Sequence, residues 1–273
     1  MSDYKIMNNT TPISLSSNLK IGDTDILLMA GPCSVESYEQ TYAVAKSMSA
    51  LGLHVIRGGA FKPRTSPHTF QGLGLEALKI LRHVADEFNL LVISEALGVE
   101  QLPLVAEYSD IIQIGSRNMQ HFPLLWAAGE QPKPILLKRG FMSTIQEWLG
   151  AAEHITLHGN QNIILCERGI RSFDPSMRNV LDVNAIAQIK ASTQFPIIAD
   201  PSHATGRVDL VFAAARAALA AGADGLLVEV HPNPAAALSD GAQSLPLESL
   251  PSFVDDMRRI AAAMGRTLES KVS

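Results

Sequence analysis

Four side chains of the sequence carry the donor atoms of a metal-binding site. A thiol, an imidazole and two carboxylates come from Cys33, His203, Glu229 and Asp240. This mixture of donors suits a borderline divalent ion such as Mn²⁺, Fe²⁺, Co²⁺ or Zn²⁺, and it does not suit Ca²⁺. His231 is a rival ligand, because it lies two residues from Glu229 and therefore on the same face of a strand. No CxxC or HExxH spacing is present, so a metal site requires a fold that brings these residues together.

A second group of side chains carries positive charge. Nine of the 22 Lys and Arg residues lie where predicted strands end, namely Arg57, Lys62, Arg64, Arg117, Lys138, Arg139, Arg168, Arg171 and Arg207. Arg binds phosphate oxygens through paired hydrogen bonds, and Lys adds a point charge. If they converge, these cations predict a site for small phosphorylated anions. Salt bridges to neighbouring carboxylates are the alternative explanation, which we favour for Arg139 and Arg207.

The elements that must position these residues alternate along the chain. Short β-rich runs predict eight strands, at Ile26–Ala30, His54–Arg57, Leu91–Ser94, Asp110–Ile114, Pro134–Lys138, Ile163–Cys166, Pro196–Ala199 and Gly225–Val228. Helical spacing of apolar residues predicts helices between them, among them Ser37–Leu51, Gly74–Phe88, Val180–Ser192, Val208–Ala221 and Leu247–Met264. Strands that alternate with helices indicate parallel βαβ units.

Eight such units in about 250 residues are typical of a closed (β/α)8 TIM barrel. An open, doubly wound sheet is the alternative α/β fold. We predict an N-terminal arm at residues 1–24, one catalytic barrel at residues 25–268 and a tail at residues 269–273. Active sites of such barrels lie at the C-terminal ends of the strands. The donor and cationic residues occur at those ends, so we expect one site there.

Composition excludes several classes of protein. The 273 residues are 47% hydrophobic and 18% charged, so the chain has enough apolar material to fold. The net charge of −5 provides no broad basic surface, so we expect neither nucleic acid nor a membrane as a partner. The N-terminus lacks the apolar segment of a secretory signal, and two cysteines make no disulfide framework. Both features predict a cytoplasmic protein.

Eight short motifs occur in an order that resembles a known family. They are Gly31-Pro32-Cys33-Ser34, Lys62-Pro63-Arg64-Thr65-Ser66, Gly115-Ser116-Arg117, Leu137-Lys138-Arg139-Gly140, Cys166-Glu167-Arg168-Gly169, Asp200-Pro201-Ser202-His203, Glu229-Val230-His231-Pro232 and Leu238-Ser239-Asp240-Gly241. Together they resemble the 3-deoxy-D-arabino-heptulosonate 7-phosphate (DAHP) synthases. The likeness is to the compact bacterial branch, which is related to 3-deoxy-D-manno-octulosonate 8-phosphate synthase, and it covers residues 25–265.

The resemblance implies a (β/α)8 barrel that condenses phosphoenolpyruvate with erythrose 4-phosphate, in the first step of the shikimate pathway. It implies four metal ligands, Cys33, His203, Glu229 and Asp240, and we expect Mn²⁺ before Fe²⁺, Co²⁺ or Zn²⁺. The implied phosphoenolpyruvate contacts are Arg57, Lys62, Ser116, Arg117, Lys138 and Arg168. The implied contacts to the sugar phosphate are Arg64 and Thr65.

Three residues are expected to handle protons and water in this reaction. Lys62 is placed to give a proton to the alkoxide that forms when carbon 3 of phosphoenolpyruvate attacks the acceptor aldehyde. Glu95 or Asp200 would orient the water that adds at carbon 2, before phosphate leaves by C–O cleavage.

Arabinose 5-phosphate is the alternative acceptor. The octulosonate synthases use it, and they carry Asn-Arg-Ser where this sequence has Pro63-Arg64-Thr65. Pro63 favours erythrose 4-phosphate, whereas Pro175 alters the loop of residues 171–178 and leaves the acceptor open. A non-catalytic barrel that binds phosphorylated metabolites is a second alternative, and the complete set of ligands and cations argues against it.

Relatives in this branch often carry a regulatory domain before the barrel. About 24 residues precede the first predicted strand here, so we expect no feedback inhibition through such a domain. We expect a homo-oligomer, either a dimer or a tetramer. A chorismate mutase that regulates the barrel from outside is a further partner, which no sequence feature favours or excludes.

Overall fold

Eight parallel strands pair in chain order at the centre of the fold. In the computed structural model, which describes residues 10–62, 66 and 68–268, they are β1 (Asp25–Gly31), β2 (Val55–Arg57), β3 (Leu91–Ala96), β4 (Ile111–Ile114), β5 (Ile135–Lys138), β6 (Ile163–Glu167), β7 (Ile197–Ala199) and β8 (Gly225–His231). β8 also pairs with β1, in a register that places Glu229 opposite Gly31. This pairing closes the sheet into a (β/α)8 TIM barrel, as predicted, and excludes the open sheet.

Helices connect the strands and cover the outside of the barrel. They are α1 (Tyr38–Ala50), α2 (Leu75–Glu87), α3 (Leu102–Tyr108), α4 (Phe122–Gly129), α5 (Ile145–Thr156), α6 (Val183–Ser192), α7 (Pro201–Thr205), α8 (Val208–Ala220) and α9 (Leu250–Ala263). Short 3₁₀ helices lie at Ser116–Asn118, Pro234–Ala236, Gly241–Gln243 and Leu247–Ser249. The five predicted helices correspond to α1, α2, α6, α8 and α9. Among the described residues, no helix is both long enough and apolar enough to cross a membrane.

Alternation along the strands separates two hydrophobic clusters. On β1, Leu28 and Ala30 face the helices, whereas Leu27 and Met29 face the barrel interior. The interior cluster continues with Val55, Ile93, Ile111, Leu136, Ile164, Cys166, Ile198 and Leu227. The barrel is therefore filled by side chains, and Cys166 is a buried core residue.

Part of the predicted arm covers the N-terminal end of the barrel. Strands Ile13–Ser14 and Lys20–Ile21 form an antiparallel hairpin, whose buried isoleucines join the interior cluster. The backbone N–H of Thr11 donates to the Gln194 carbonyl, which precedes β7. Two further short strands, Leu245–Pro246 and Thr267–Leu268, pair beside β8 and β1. The hairpin covers one end of the barrel and leaves the C-terminal ends of the strands accessible.

Candidate active site

A layer of charged side chains lies directly above the apolar interior of the barrel. Six interior residues are each followed, two positions later, by a charged residue of the predicted site: Arg57, Glu95, Lys138, Arg168, Asp200 and Glu229. Side chains two positions apart in a strand point to the same side, so these six charges face the barrel axis. All except Glu95 are buried. Buried charges require partners, and those partners define the chemistry of the site.

Cys33, Glu229 and Asp240 bring three donor atoms together. One ligand atom from each residue lies within 4.8 Å of the other two, and Cys33 Sγ is 3.2 Å from Asp240 Oδ2. Cys33 follows β1, while Glu229 lies in β8 and Asp240 in the loop after it. Closure of the barrel between β8 and β1 therefore creates this donor cluster. Its sulfur and carboxylate oxygens fit a borderline divalent ion.

His203 approaches the donor cluster from α7. Asp200 caps this helix by accepting from the His203 backbone N–H, and its Oδ2 lies 2.7 Å from His203 Nδ1. The other ring nitrogen, Nε2, lies 3.3 Å from Glu229 Oε1. Burial lowers the pKa of His203 despite the nearby Asp200, which favours the neutral ring that binds metals. A carboxylate that orients a histidine toward other ligands is typical of metal sites.

Lys62 lies beside the thiol of the donor cluster. Its Nζ is 3.0 Å from Cys33 Sγ and also donates to the Cys33 carbonyl. Burial, reinforced by Glu229, raises the pKa of Cys33 to about 12. Burial alone would lower the pKa of Lys62, but Cys33 and Glu229 outweigh it and raise that pKa. Lys62 is therefore held as a protonated acid at the edge of the cluster.

Arg57 and Lys138 are paired with carboxylates of the charged layer. Arg57 Nη1 lies 3.2 Å from Glu229 Oε1 and donates to the Pro32 carbonyl at 2.7 Å. Lys138 Nζ donates to Asp200 Oδ2. Although burial raises the pKa of Asp200, His203 and Lys138 hold it well below its ordinary value. Asp200 is thus an ionised link between the donor cluster and Lys138.

A cavity of about 340 Å³ joins the donor cluster to the cationic residues. Eight of the predicted site residues line it, namely Lys62, Glu95, Ser116, Arg117, Lys138, Arg168, His203 and Asp240. Gly115 leaves room for Glu95 at one wall, because a Cβ there would displace the Glu95 carboxylate. The cavity therefore brings together most of the residues that the sequence predicts for one site.

Three guanidiniums at this end of the barrel make no ion pair with any described carboxylate. They belong to Arg117, Arg168 and Arg171, and their central carbons lie 5.3, 4.6 and 5.3 Å from the ring centroid of Phe141. Burial lowers the pKa of Arg168 to about 10, which leaves it charged at neutral pH. Because no described carboxylate pairs with it, this guanidinium is available to an anion in the cavity.

Two predicted cations have structural partners instead. Arg139 Nη1 lies 2.9 Å from Glu167 Oε2 and 3.0 Å from Asp182 Oδ2, and these buried contacts tie the ends of β5 and β6 to the start of α6. Arg207 pairs with Asp209 at 2.7 Å on the exposed surface. The salt bridges that we favoured for these two arginines are confirmed, and neither lines the cavity.

The rival ligand His231 lies outside the donor cluster. Its Nε2 is 3.3 Å from Glu36 Oε2, and its Nδ1 accepts from the Asn233 backbone N–H. The ring is therefore occupied on both nitrogens by contacts that fix the loop after β8. The two predicted contacts to the sugar phosphate, Arg64 and Thr65, lie outside the described residues.

Sequence reasoning missed three residues that surround the site: Phe141, Arg178 and Gln243. Arg178 lines the cavity and donates to Gln243 Oε1 at 2.8 Å, while Gln243 Nε2 donates to Glu229 Oε2 at 2.7 Å. These residues lie in the loops after β5, β6 and β8, beyond the residues that end the predicted strands. Gln243 lies three residues after the predicted ligand Asp240, and this proximity in the sequence is the signal that could have identified it.

Residues 10–264 match the model of the DAHP synthetase I family. The chain belongs to the DAHP synthetase I family. This assignment confirms the resemblance carried by the eight motifs and places the chain among the DAHP synthases, which are enzymes.

Relatives of this DAHP synthetase family member include two kinds of aldolase. A phospho-2-dehydro-3-deoxyheptonate aldolase from Thermotoga maritima is 54% identical over 248 residues, which cover 91% of this chain and 73% of the relative. A 2-dehydro-3-deoxyphosphooctonate aldolase from Syntrophotalea carbinolica is 34% identical over 267 residues, which cover 91% and 95% of the two chains. The sequence is thus more similar to this heptonate aldolase than to this octonate aldolase.

Solved structures agree with the family assignment. The crystal structure of the Thermotoga maritima DAHP synthase matches with a TM-score of 0.92 and 52% identity, and it covers 95% of this chain and 76% of that chain. A truncated form of DAHP synthase from the same organism matches with a TM-score of 0.89 and 48% identity, and it covers 97% of both chains. The barrel fold is therefore shared with DAHP synthases.

Proposed function

We propose that this family member condenses phosphoenolpyruvate with erythrose 4-phosphate to give DAHP and inorganic phosphate, the first step of the shikimate pathway. The observation that carries this proposal is one cavity that lies between the donor cluster and Arg117 and Arg168, which form no ion pair with a described carboxylate. One end has the chemistry to receive an aldehyde oxygen beside a metal ion, and the other end suits a phosphate. A condensation between an aldehyde and an enol phosphate needs both ends at once.

The cationic end would bind phosphoenolpyruvate. Arg117 and Arg168 form no ion pair with a described carboxylate, and Lys138 and Ser116 line the same cavity. Fixed cations hold the enol phosphate in one orientation and stabilise charge as it moves toward the leaving phosphate. Arg57 is not among the residues that line the cavity, and it supports the site by its contact with Glu229.

The opposite end would hold one divalent ion through Cys33, His203, Glu229 and Asp240. The fit rests on the three clustered donor atoms and on a neutral His203 ring whose Nε2 faces Glu229. We propose Mn²⁺ first, with Fe²⁺, Co²⁺ or Zn²⁺ as alternatives. When bound, such an ion supplies a Lewis acid for the acceptor aldehyde.

Lys62 and Glu95 would move the proton and the water. Carbon 3 of phosphoenolpyruvate forms a bond to the aldehyde carbon, and Lys62 gives its proton to the oxygen that becomes an alkoxide. Water then adds at carbon 2, and the C–O bond to phosphate breaks, so one water is consumed and one phosphate released. Glu95 lines the cavity and accepts from Gln113 Nε2 at 2.9 Å, which supports it as the group that orients this water. Asp200 is enclosed by Lys138 and His203, which supports a positioning role.

One assay tests the identity of the acceptor. It measures the release of phosphate from phosphoenolpyruvate in the presence of erythrose 4-phosphate or arabinose 5-phosphate, each with and without a chelator. We expect release with erythrose 4-phosphate, its loss on chelation, and its return when Mn²⁺ is added. The 54% identity to the heptonate aldolase, against 34% to the octonate aldolase, supports this acceptor. Faster release with arabinose 5-phosphate would assign the octulosonate reaction instead.

A further inference from the structure

Phe141 lies in the loop after β5, on the wall between two cavities. One is the substrate cavity described above, and the other has a volume of about 530 Å³ and includes Met142 and Arg171 in its lining. Phe141 therefore borders both the cationic end of the site and a second, outer space. Neither the motifs nor the proposed reaction assigns a role to this side chain.

The arginines near Phe141 differ from Arg57 and Arg139 in what holds them. Arg57 and Arg139 are held by buried carboxylates, which neutralise much of their charge. Arg117, Arg168 and Arg171 contact the face of one aromatic ring instead, and none of them forms an ion pair with a described carboxylate. These three arginines thus share one aromatic partner.

An aromatic ring is suited to holding an arginine that binds an anion, and the reason is electrostatic. The ring face carries partial negative charge and attracts a guanidinium, but the ring has no net charge. It can therefore hold an arginine in place without cancelling the positive charge that attracts a phosphate. A carboxylate at this position would hold the arginines more strongly and would also repel the substrate.

The backbone of Phe141 is fixed independently of its ring. The Phe141 carbonyl accepts from the Arg171 backbone N–H at 2.7 Å, and the preceding Gly140 N–H donates to Met119 Sδ at 3.0 Å. These contacts join the loops after β4, β5 and β6. A change of the ring alone should therefore leave the loop in place.

We infer that Phe141 is a positioning residue, whose ring holds Arg117 and Arg168 ready for the phosphate of phosphoenolpyruvate while leaving their charge available. The inference rests on the proposed function and adds to it a residue that acts through the arginines rather than on the substrate. Arg171 would be held on the same ring at the rim of the outer cavity.

The test compares Phe141→Leu, which keeps an apolar side chain but removes the ring, with Phe141→Tyr, which keeps the ring. Phe122→Leu is the matched control, since Phe122 is a half-exposed phenylalanine on α4 outside the substrate cavity. Calorimetry on the metal-loaded full chain gives the Kd of phosphoenolpyruvate and of inorganic phosphate, and steady-state assays give KM and kcat. Melting temperature reports folding, and Phe141→Met replaces Phe141→Leu if that variant does not fold.

We expect Phe141→Leu to raise both Kd values about tenfold, with KM for erythrose 4-phosphate unchanged, and Phe141→Tyr to stay within about twofold of the parent. Unchanged Kd values in Phe141→Leu would overturn the inference, as would an equal loss in Phe141→Tyr. Failure of the proposed function has a different signature, since the parent chain would then bind phosphoenolpyruvate but form no product with either aldose phosphate.

Discussion

Gln243 donates a hydrogen bond from Nε2 to Glu229 Oε2 at 2.7 Å, and both side chains are buried. The other carboxylate oxygen, Glu229 Oε1, lies 3.2 Å from Arg57 Nη1. Arg178 in turn donates to Gln243 Oε1, which fixes the amide so that its N–H group points at the carboxylate. Glu229 is therefore oriented from both sides before any ligand binds, as supporting residues commonly orient metal ligands.

Replacing Gln243 with methionine removes this hydrogen bond at similar side-chain volume. We expect Gln243→Met to weaken Mn²⁺ or Co²⁺ binding by about 10–100-fold, because Glu229 loses the contact that orients it. Calorimetric titration of the metal-free chain measures this directly, without an activity assay. Gln188→Met, on the exposed face of α6, is the control and should bind metal like the parent. Equal Kd values for the two variants would contradict the role of Gln243.

The two cysteines provide a second comparison. Cys33 contributes to the donor cluster, whereas Cys166 lies in the barrel interior. We expect Cys33→Ala to lose metal-dependent turnover and the sulfur-to-Co²⁺ charge-transfer absorption, while it keeps its fold. Cys166→Ala should keep both properties and lose about 1–2 kcal/mol of stability through a small cavity. Full activity of Cys33→Ala after treatment with a chelator would exclude sulfur ligation.

Arg139 should matter for stability rather than for binding. It pairs with Glu167, which is fully buried, and with Asp182. Arg139→Met leaves the buried Glu167 carboxylate without its cationic partner, so we expect the free energy of unfolding to fall by about 3–5 kcal/mol. Urea denaturation measures this loss. The exposed Arg207–Asp209 pair is the control, and Arg207→Met should leave the free energy of unfolding nearly unchanged, because solvent screens exposed ion pairs. Similar losses of unfolding free energy in the two variants would show that the buried contacts of Arg139 do not stabilise the fold.

A substitution at Gly115 tests whether the reaction depends on the position of Glu95. A Cβ at Gly115 would collide with Glu95 Oε1, so Gly115→Ala must displace that carboxylate from the cavity wall. We expect kcat to fall while the Kd for metal stays the same, because Glu95 lies outside the donor cluster. Gly150→Ala is the control, since nothing lies within 4 Å of a Cβ there, and it should stabilise α5 by about 0.5–1 kcal/mol. An unchanged kcat in Gly115→Ala would show that Glu95 takes no part in the reaction.

Much of this site follows from periodicity. The strand pattern predicted the barrel, and the barrel rule then predicted that Arg57, Lys138 and Glu229 would meet at one end. A period of two along each strand is enough to place them, because every parallel strand presents the residues at its C-terminal end to the same mouth. That is why most of the predicted residues line one cavity or its donor cluster.

The remaining contacts of the site depend on loops, and the spacing of residues in the sequence does not predict how a loop folds. Gln243 and Arg178 meet only because the loop after β8 folds over the loop before α6, and no periodic signal encodes that contact. Phe141 resembles an ordinary apolar residue in the sequence, and its three arginines come from two other loops, those after β4 and β6. The hairpin of Ile13 and Ile21 was likewise predicted only as part of a polar arm, because each of its strands is two residues long.

Cleavage of the C–O bond of phosphoenolpyruvate on condensation is the central claim, and isotope labelling tests it most directly. The metal-loaded chain is incubated with erythrose 4-phosphate and with phosphoenolpyruvate that carries ¹⁸O in the oxygen bridging carbon 2 and phosphorus. We expect mass spectrometry to find the label in inorganic phosphate, with one phosphate released for each seven-carbon product. Label retained in the organic product, or phosphate released without that product, would contradict the condensation at this cavity.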